Sequence, residues 1–306
     1  MKHNPSPRSS NTQSLKTRTS EKQIKARLAC GLYLVSTPIG NLSDFSARGA
    51  ETLNNADLIL AEDTRNTKKL MNAYGIHGSV ERADETSTQA AISKALFILE
   101  QGGAVAFVSD AGTPSISDPG QRLAAAIVIK GFEVFPVPGA SSVLAALVVS
   151  GLDARQFAFL GFIPNKNNAR LAFIESALKM PMTTIMFETG PRLLASLEIL
   201  ATLSAERQIV VARELTKLFE EKRRGTSLDI FSYYKVNGPP KGEIVIVLSQ
   251  APIQDVAFPS EDLEEKIIVG LKSEGIKNLS ERLARETGLK KREIYQLALS
   301  LSKGGT

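Results

Sequence analysis

Residues 104–120 read AVAFVSDAGTPSISDPG. The first five residues are apolar, and the stretch then changes to Ser, Asp, Gly, Thr and Pro, which favour turns. A continuous apolar run that ends at such a loop is typical of a strand buried on both faces of a parallel sheet. Ligands of open α/β sheets bind beyond the carboxyl ends of the strands, so the loop that follows is also a candidate binding segment.

The same alternation of short apolar runs and segments with helical spacing extends to both sides of this stretch. The first half has predicted strands at 32–38, 57–63, 104–110 and 133–137 and predicted helices near 43–55, 86–101 and 119–130. The second half has predicted strands at 157–163, 183–188, 208–214 and 243–248 and predicted helices at 142–149, 168–179 and 191–203. This pattern predicts an α/β fold with two domains, at 30–140 and 141–251.

Two local signals in this α/β region are more specific. Thr86, followed three residues later by Gln89, has the spacing of a capping box, which predicts a helix start there. The polar segment 220–238 fits either a hairpin or a helix, and both interpretations stay open.

A small helical unit is expected at 260–306. Residues 280–299 read SERLARETGLKKREIYQLAL, in which apolar residues at helical spacing flank Gly288. This is the pattern of a helix-turn-helix, with basic residues at the start of the second helix. Residues 277–303 contain seven basic and three acidic residues. The unit is therefore either a nucleic-acid contact module or a helical cap with a solvated charged face.

The net charge of +5 does not belong to the α/β region. Residues 1–28 hold seven Lys or Arg residues and one acidic residue, Glu21, so the remainder is slightly negative. Their polar composition predicts that residues 1–29 are a disordered basic extension, which also has the bias of a transit peptide. Because the chain lacks an apolar run of 18 residues, we expect no membrane span and a cytoplasmic protein.

Several kinds of site are excluded by residue counts. The single cysteine, Cys30, excludes a disulfide framework and a thiolate metal cluster. The two histidines, His3 and His77, are too few for a three-histidine metal site, and no metal is expected.

Three strand-end loops are rich in small residues, at 37–42 (TPIGNL), 109–114 (SDAGTP) and 137–142 (VPGASS). Gly and small residues let a ligand approach the backbone closely, and three such loops favour one ligand site. None of them matches the common glycine-rich nucleotide motifs.

A fourth strand-end cluster, AEDTR at 61–65, carries Glu62, Asp63 and Arg65. Paired acids beside an arginine can perform acid–base chemistry and bind an anion. The alternative is a helix cap with a surface ion pair.

These motifs, taken together, resemble a known family. LYLVSTPIGNL, AEDTR, VSDAGTPSISDPG, PGAS, ARELTK and KGE occur in the order and at the spacing seen in the tetrapyrrole methylase superfamily, in the branch of small-subunit ribosomal RNA methyltransferases. The resemblance covers about residues 31–250 and continues into the helical unit. One departure is Pro191, which stands where relatives often have a histidine.

The resemblance implies two α/β domains of the tetrapyrrole methylase type, a homodimer, and S-adenosylmethionine as methyl donor. It also implies 2′-O-methylation of a decoding-site cytidine in 16S ribosomal RNA of the small ribosomal subunit. The donor-binding residues carried over from the family are Pro38, Asp110, Ala111, Gly112, Ser115, Ser141, Ser142, Phe187, Leu215 and Gly242.

Methyl transfer to a hydroxyl needs positioning and help with the proton. Our hypothesis is that Glu62 or Asp63 is the base and that Arg65 holds a neighbouring phosphate. Two alternatives stay open: a methyltransferase acting on a small tetrapyrrole, and a DNA-binding regulator that uses the helical unit.

Overall fold

The computed structural model of the chain describes residues 27–116, 120–252 and 260–303. The expected basic extension at 1–29 lies outside these residues except for its last three positions. The described chain divides into two compact units. The first holds residues 27–36, 45–110 and 120–138, and the second holds 37–44, 111–116 and the chain from 139 onward. None of the described helices is long and apolar enough to cross a membrane.

The first unit is built on a parallel sheet with strand order β3-β2-β4-β1-β5. Its strands are β1 (Gly31–Val35), β2 (Leu58–Ala61), β3 (Val80–Arg82), β4 (Ala104–Val108) and β5 (Val134–Val137). Its helices are α1 (Ala47–Asn55), α2 (Thr64–Tyr74), α3 (Thr88–Glu100) and α4 (Gln121–Ile129).

Both faces of this sheet are buried, as the continuous apolar strands predict. In β4, Ala104, Ala106 and Val108 belong to one apolar cluster. Val105 and Phe107 lie between them in sequence and belong to a second cluster. Since side chains alternate between the faces of a strand, each cluster covers one face. The predicted α/β class with a parallel sheet is confirmed.

The predicted capping box at Thr86 is wrong. The helix begins two residues later, at Thr88, and its N-cap Ser87 makes no side-chain capping bond. Instead the carboxylate of Asp84 accepts hydrogen bonds from the Ser87 amide at 2.9 Å and from the Thr86 hydroxyl at 2.8 Å. An aspartate that bonds the backbone a few residues ahead forms a local turn, and this turn competes with the helix for the same donors.

The second unit contains a mixed sheet with strand order β6-β7-β10-β8-β9. Its strands are β6 (Phe157–Phe162), β7 (Thr183–Thr189), β8 (Gln208–Arg213), β9 (Glu221–Thr226) and β10 (Glu243–Leu248). Its helices up to residue 237 are α5 (Ser142–Ser150), α6 (Asn167–Leu178), α7 (Gly190–Leu203) and α8 (Ser227–Asn237). The β6–β7 pair is parallel and the others are antiparallel. The ambiguous segment 220–238 therefore forms a strand followed by a helix.

The C-terminal part of the second unit is helical, with α9 (Ser260–Leu271), α10 (Ile276–Thr287) and α11 (Lys291–Lys303). The predicted helix-turn-helix pair is confirmed as α10 and α11. Gly288 ends α10 in the left-handed conformation, at a φ of 73°, which glycine adopts without strain. Leu279, Leu283 and Ile294 are fully buried where the helices pack.

The turn from β7 into α7 requires a glycine at position 190. A Cβ atom there would lie 2.1 Å from the carbonyl oxygen of Pro240, and neither backbone can move away cheaply. Gly190→Ala should therefore lower the free energy of unfolding by about 2 kcal/mol, as overpacking does elsewhere. Urea unfolding followed by circular dichroism measures this.

Gly225→Ala is the matched control. It lies in the same unit, and its Cβ would approach other atoms no closer than 3.4 Å, an ordinary contact. Equal stability of the two variants would contradict the steric argument.

Candidate functional site

The three small-residue loops are joined in the second unit through their parts at 37–42, 111–114 and 139–142. Thr37 and Gly112 exchange two backbone hydrogen bonds, with N···O distances of 2.9 and 3.1 Å. The hydroxyl of Thr113 lies 3.3 Å from the Ala140 carbonyl oxygen and donates to it. Gly112 has a φ of 80°, so a side chain there would strain the turn. The loops that start at Thr37, Ala111 and Gly139 are thus joined directly to one another.

A fourth loop follows β8 and has an unusual backbone. Glu214 and Thr216 have φ values of 48° and 68°, in the left-handed region that residues other than glycine rarely adopt. The Glu214 amide donates to the Glu243 carbonyl at 3.0 Å, and Glu214 Oε1 accepts from the Glu243 amide at 2.9 Å. Such backbone strain persists only where surrounding bonds enforce it, and it is frequent at functional sites.

Lys217 neutralises this carboxylate. Its Nζ lies 2.9 Å from Glu214 Oε1 and 3.0 Å from Glu243 Oε2. Burial alone would raise the pKa of Glu214, but the Glu243 amide and Lys217 together hold it below its ordinary value. Glu214 is therefore a carboxylate in the folded protein, and it ties the loop after β8 to the start of β10.

The same loop packs against the TPIGNL segment. A Cβ atom on Gly40 would lie 2.4 Å from Cγ of Lys217 and 2.8 Å from the hydroxyl of Thr216. That hydroxyl accepts a hydrogen bond from the Asn41 amide at 3.1 Å. Glycine at position 40 is thus required by a close approach between two loops.

Gly242 has a comparable role. A Cβ atom there would lie 2.5 Å from Cδ of Glu214, and the residue has a φ of 108°. The adjacent carbonyl of Lys241 accepts a 2.7 Å bond from Arg213 Nε. The glycine in KGE therefore makes room for the Glu214 carboxylate.

Nine of the ten predicted donor-binding residues lie in this second unit. Ser141 caps α5 by accepting from the Leu144 amide, and Leu215 is buried in an apolar cluster with Ile39. Phe187 packs edge-to-face against Phe159, with ring centroids 4.7 Å apart. The others in this unit are Pro38, Ala111, Gly112, Ser115, Ser142 and Gly242.

Ser115 is the most informative of these residues. Its φ is 72°, and its hydroxyl oxygen is buried without a hydrogen-bond partner among the described residues. A buried hydroxyl without a partner costs free energy, which a polar ligand at this loop would recover.

Asp110, the tenth predicted donor-binding residue, lies in the first unit beside the AEDTR cluster. Its amide donates to Glu62 Oε2 at 3.2 Å, and its carboxylate accepts from Asn66 Nδ2 at 3.2 Å. Burial raises the pKa of Glu62, and the negative charges of Asp110, Asp63 and Asp84 raise it further. Glu62 is therefore the acid in this cluster that holds a proton most readily.

Asp63 has the opposite environment. It is the N-cap of α2, accepting from the Arg65 amide at 2.8 Å, and its Oδ2 lies 2.7 Å from the Arg65 guanidinium. These bonds lower the pKa of Asp63 to about 2. The side chain of Arg65 is 84% exposed, so its outer face is open to an anion.

The structure also contains a buried ion pair that the sequence did not single out as an interaction. Glu188 is 1% exposed, and its carboxylate accepts from the Ser196 hydroxyl at 2.5 Å and the Thr189 amide at 2.8 Å. Arg192 Nε lies 3.2 Å from its Oε1. Pro191, the residue that departs from the family pattern, lies in the first turn of α7, where proline is favoured. The pair fixes the turn directly after Phe187.

The chain matches a known protein family and is similar in sequence to named methyltransferases. Residues 31–230 match the profile of the family described as Tetrapyrrole (Corrin/Porphyrin) Methylases. The chain is 42% identical to a ribosomal RNA small subunit methyltransferase I from Synechocystis, over 90% of this chain and 99% of that protein. It is 39% identical to a protein of the same name from Mesorhizobium japonicum, over 92% of this chain and 96% of that protein.

Solved structures agree on the fold. The X-ray structure of a cobalt precorrin-4 methyltransferase superposes with a TM-score of 0.53 at 19% identity, covering 71% of this chain and 94% of that chain.

The opposite pKa shifts of Glu62 and Asp63 predict opposite effects on stability. Glu62→Gln should leave the chain at least as stable as the wild type at pH 7, because burial and acidic neighbours oppose the charge of Glu62. A carboxyl with a raised folded pKa favours folding only while protonated, so its contribution is lost as the pH rises through that pKa. The advantage of the variant should vanish below about pH 4. Urea unfolding at several pH values measures this.

Asp63→Asn is the control, since asparagine also caps helices. The lowered pKa of Asp63 means that its contribution is present above the unfolded value and lost as the pH falls towards 2. This variant should therefore be less stable than the wild type at pH 7. A destabilised Glu62→Gln variant at that pH would refute our description of Glu62.

Proposed function

Because the chain belongs to the tetrapyrrole methylase family and is a methyltransferase, we propose that it methylates small-subunit ribosomal RNA with S-adenosylmethionine as donor. The observation that carries this proposal is the identity of about 40% to small-subunit methyltransferases over nearly their whole length. The finer proposal is 2′-O-methylation of a cytidine at the decoding site of 16S RNA. A homodimer and a cytoplasmic location stay predictions.

The joined loops of the second unit fit a donor of this kind. Gly112 has a φ of 80°, the glycines at positions 40 and 242 let Lys217 and Glu214 pack closely against the loops, and the buried hydroxyl of Ser115 is in need of a partner. We propose that backbone groups of Pro38, Ala111, Gly112, Leu215 and Gly242, hydroxyls of Ser115, Ser141 and Ser142, and the Phe187 ring hold the donor, with Asp110 adjacent in the chain. S-adenosylmethionine supplies an electrophilic methyl group on a sulfonium.

Glu62 is the proposed base. A ribose hydroxyl is a weak acid, so the transfer of its hydrogen to a carboxylate proceeds best when that carboxylate is more basic than usual. Burial and the neighbouring acids raise the pKa of Glu62, whereas Asp63 has a pKa of about 2 and is a weak base. Asp63 instead holds Arg65, whose exposed guanidinium we propose binds a phosphate of the RNA.

Methyl transfer from labelled S-adenosylmethionine tests the proposed acceptor. Small ribosomal subunits, naked 16S RNA, a porphyrinogen and duplex DNA are offered separately, and we expect label only in the ribosomal RNA. A 2′-O-methyl group blocks the hydroxyl that alkali uses to cleave RNA, so the labelled nucleotide should resist alkaline hydrolysis. Label in the porphyrinogen would favour the tetrapyrrole alternative. Tight duplex DNA binding without any transfer would favour the regulator.

Glu62→Gln tests the base. We expect the rate of methyl transfer to fall about 100-fold or more, as is usual on loss of a general base. The wild-type rate should decline as the pH falls through the raised pKa of Glu62, and this limb should be absent in the variant. The control Asp63→Asn should retain a rate within a few-fold of the wild type. Equal losses in both variants would reject the assignment.

Lys217→Met tests the donor loops. Methionine keeps an apolar chain over Gly40 but removes the ammonium that bridges Glu214 and Glu243. The donor dissociation constant should rise about tenfold through loss of charged hydrogen bonds, with a smaller effect on kcat. Calorimetry measures the affinity. Lys235→Met, on α8, removes an equal charge and should bind the donor like the wild type. Unchanged affinity in Lys217→Met would show that these loops do not hold the donor.

A further inference from the structure

Helix α11 carries more apolar surface than its own core uses. Its inner face contributes Ile294 and Ala298, which are fully buried, together with Leu297 and Leu301. A second stripe runs along another side of the helix, with the spacing i, i+3, i+4, i+7 that places residues in one row. Its members are Arg292, Tyr295, Gln296 and Leu299, all of them exposed. Tyr295 is 41% exposed and Leu299 is 36% exposed.

This stripe forms one wall of an open groove. Together with Lys277 of α10 and Lys291 at the start of α11, its residues line a groove of about 730 Å³. Lys291 is paired with Glu281, with Nζ and Oε2 2.7 Å apart. Arg292 and Lys277, by contrast, have no carboxylate within 4.0 Å anywhere in the described chain. The surface of the groove is mainly apolar, and the groove combines an exposed ring with two cations that have no carboxylate partner among the described residues.

This combination matches the chemistry of a single-stranded nucleic acid. Cations that follow a groove bind phosphates, and an aromatic ring stacks on an unpaired base. An A-form RNA duplex offers phosphates but no free base for the ring, because its bases are stacked on each other and its major groove is too narrow for side chains.

A duplex DNA reader would be arranged differently. There the first residues of the second helix contact base edges in the major groove. Here Lys290 faces Glu293 at 3.5 Å and Lys291 faces Glu281, so two of the three cations at the helix start are paired and Arg292 alone has no carboxylate partner among the described residues. The uncompensated charges are instead distributed along the groove.

We propose that this groove binds a single-stranded segment of the substrate RNA, with Lys277 and Arg292 on phosphates and Tyr295 stacked on a base. The inference rests on the proposed function, which makes RNA the acceptor, and adds the place and the form in which RNA is held. The groove lies outside the donor loops, so its residues affect RNA affinity and not donor affinity.

The test is equilibrium binding of the full chain to a labelled single-stranded RNA of about 16 nucleotides. Arg292→Glu should weaken binding about tenfold and reduce the slope of log K against log salt by about 0.7, the value for one phosphate contact on a single strand. Tyr295→Ala should weaken binding at least fivefold, through the loss of about 1–3 kcal/mol of stacking. Tyr295→Phe keeps the ring and should bind like the wild type.

Lys272→Glu is the matched control for charge. Lys272 is an exposed lysine of the same helical part, outside the groove, and its reversal changes net charge as Arg292→Glu does. Its RNA affinity should stay within about twofold of the wild type. Unchanged donor affinity in all variants shows that they are folded.

Three outcomes would overturn the groove assignment: wild-type RNA binding by Arg292→Glu and Tyr295→Ala, equal losses in Lys272→Glu and Arg292→Glu, or tighter binding of duplex DNA or an acidic peptide than of single-stranded RNA. The proposed function is judged separately, by methyl transfer. Transfer to ribosomal RNA with an unchanged KM in the groove variants would reject the groove and keep the function. If the wild type transfers no methyl group and Arg292→Glu still binds RNA more weakly, the proposed function is rejected and the groove assignment is kept.

Discussion

The candidate donor site depends on the hydrogen bonds that the Glu214 carboxylate accepts. This carboxylate accepts from the Glu243 amide and from Lys217, and it fills the space that a side chain at position 242 would need. These bonds offset the cost of the left-handed backbone at Glu214 and Thr216. That backbone in turn places the Thr216 hydroxyl on the Asn41 amide and the methylene groups of Lys217 against Gly40. Glycines in two motifs far apart in sequence are thus required by one carboxylate and its cation.

The two adjacent acids at the end of β2, Glu62 and Asp63, have opposite pKa shifts because their surroundings differ. The Asp63 carboxylate caps its own helix, where the amide and the guanidinium of Arg65 stabilise its charge and lower its pKa to about 2. Glu62 is partly buried, and it has three acidic neighbours and a single backbone donor, so its pKa is raised. A group whose charge is opposed in the folded state stabilises the protein poorly and accepts protons well. The helix cap and the proposed base are therefore different acids, although the residue types alone allow either acid to fill either role.

Apolar strands were predictable from sequence because burial on both faces leaves a continuous apolar run, and β10 has the expected bounds, 243–248. The strand β9, EKRRGT, escaped prediction because it pairs only with β8 and carries mostly charged residues. The helix start at Thr88 was missed because the Asp84 carboxylate takes the local donors. For the site, the sequence predicted that the loops follow strands. It did not predict the contacts through Gly40, Thr216 and Lys217, since these contacts join residues about 175 positions apart that share no local pattern.

The positive charge of this chain is unevenly distributed along the sequence. The positive excess lies in residues 1–28, and the rest is close to neutral, so overall attraction to a polyanion cannot come from the α/β units. Paired cations contribute little to binding a phosphate, because a carboxylate already holds them; this applies to Lys217, Lys290 and Lys291. Arg65 is also paired, with Asp63, but its side chain is 84% exposed, so its outer N–H groups stay open to an anion. Lys277 and Arg292 have no carboxylate within 4.0 Å among the described residues. We propose that this nearly neutral remainder, with a few cations available, contacts RNA at chosen points, as the proposed methylation of one ribose on a large uniform polyanion requires.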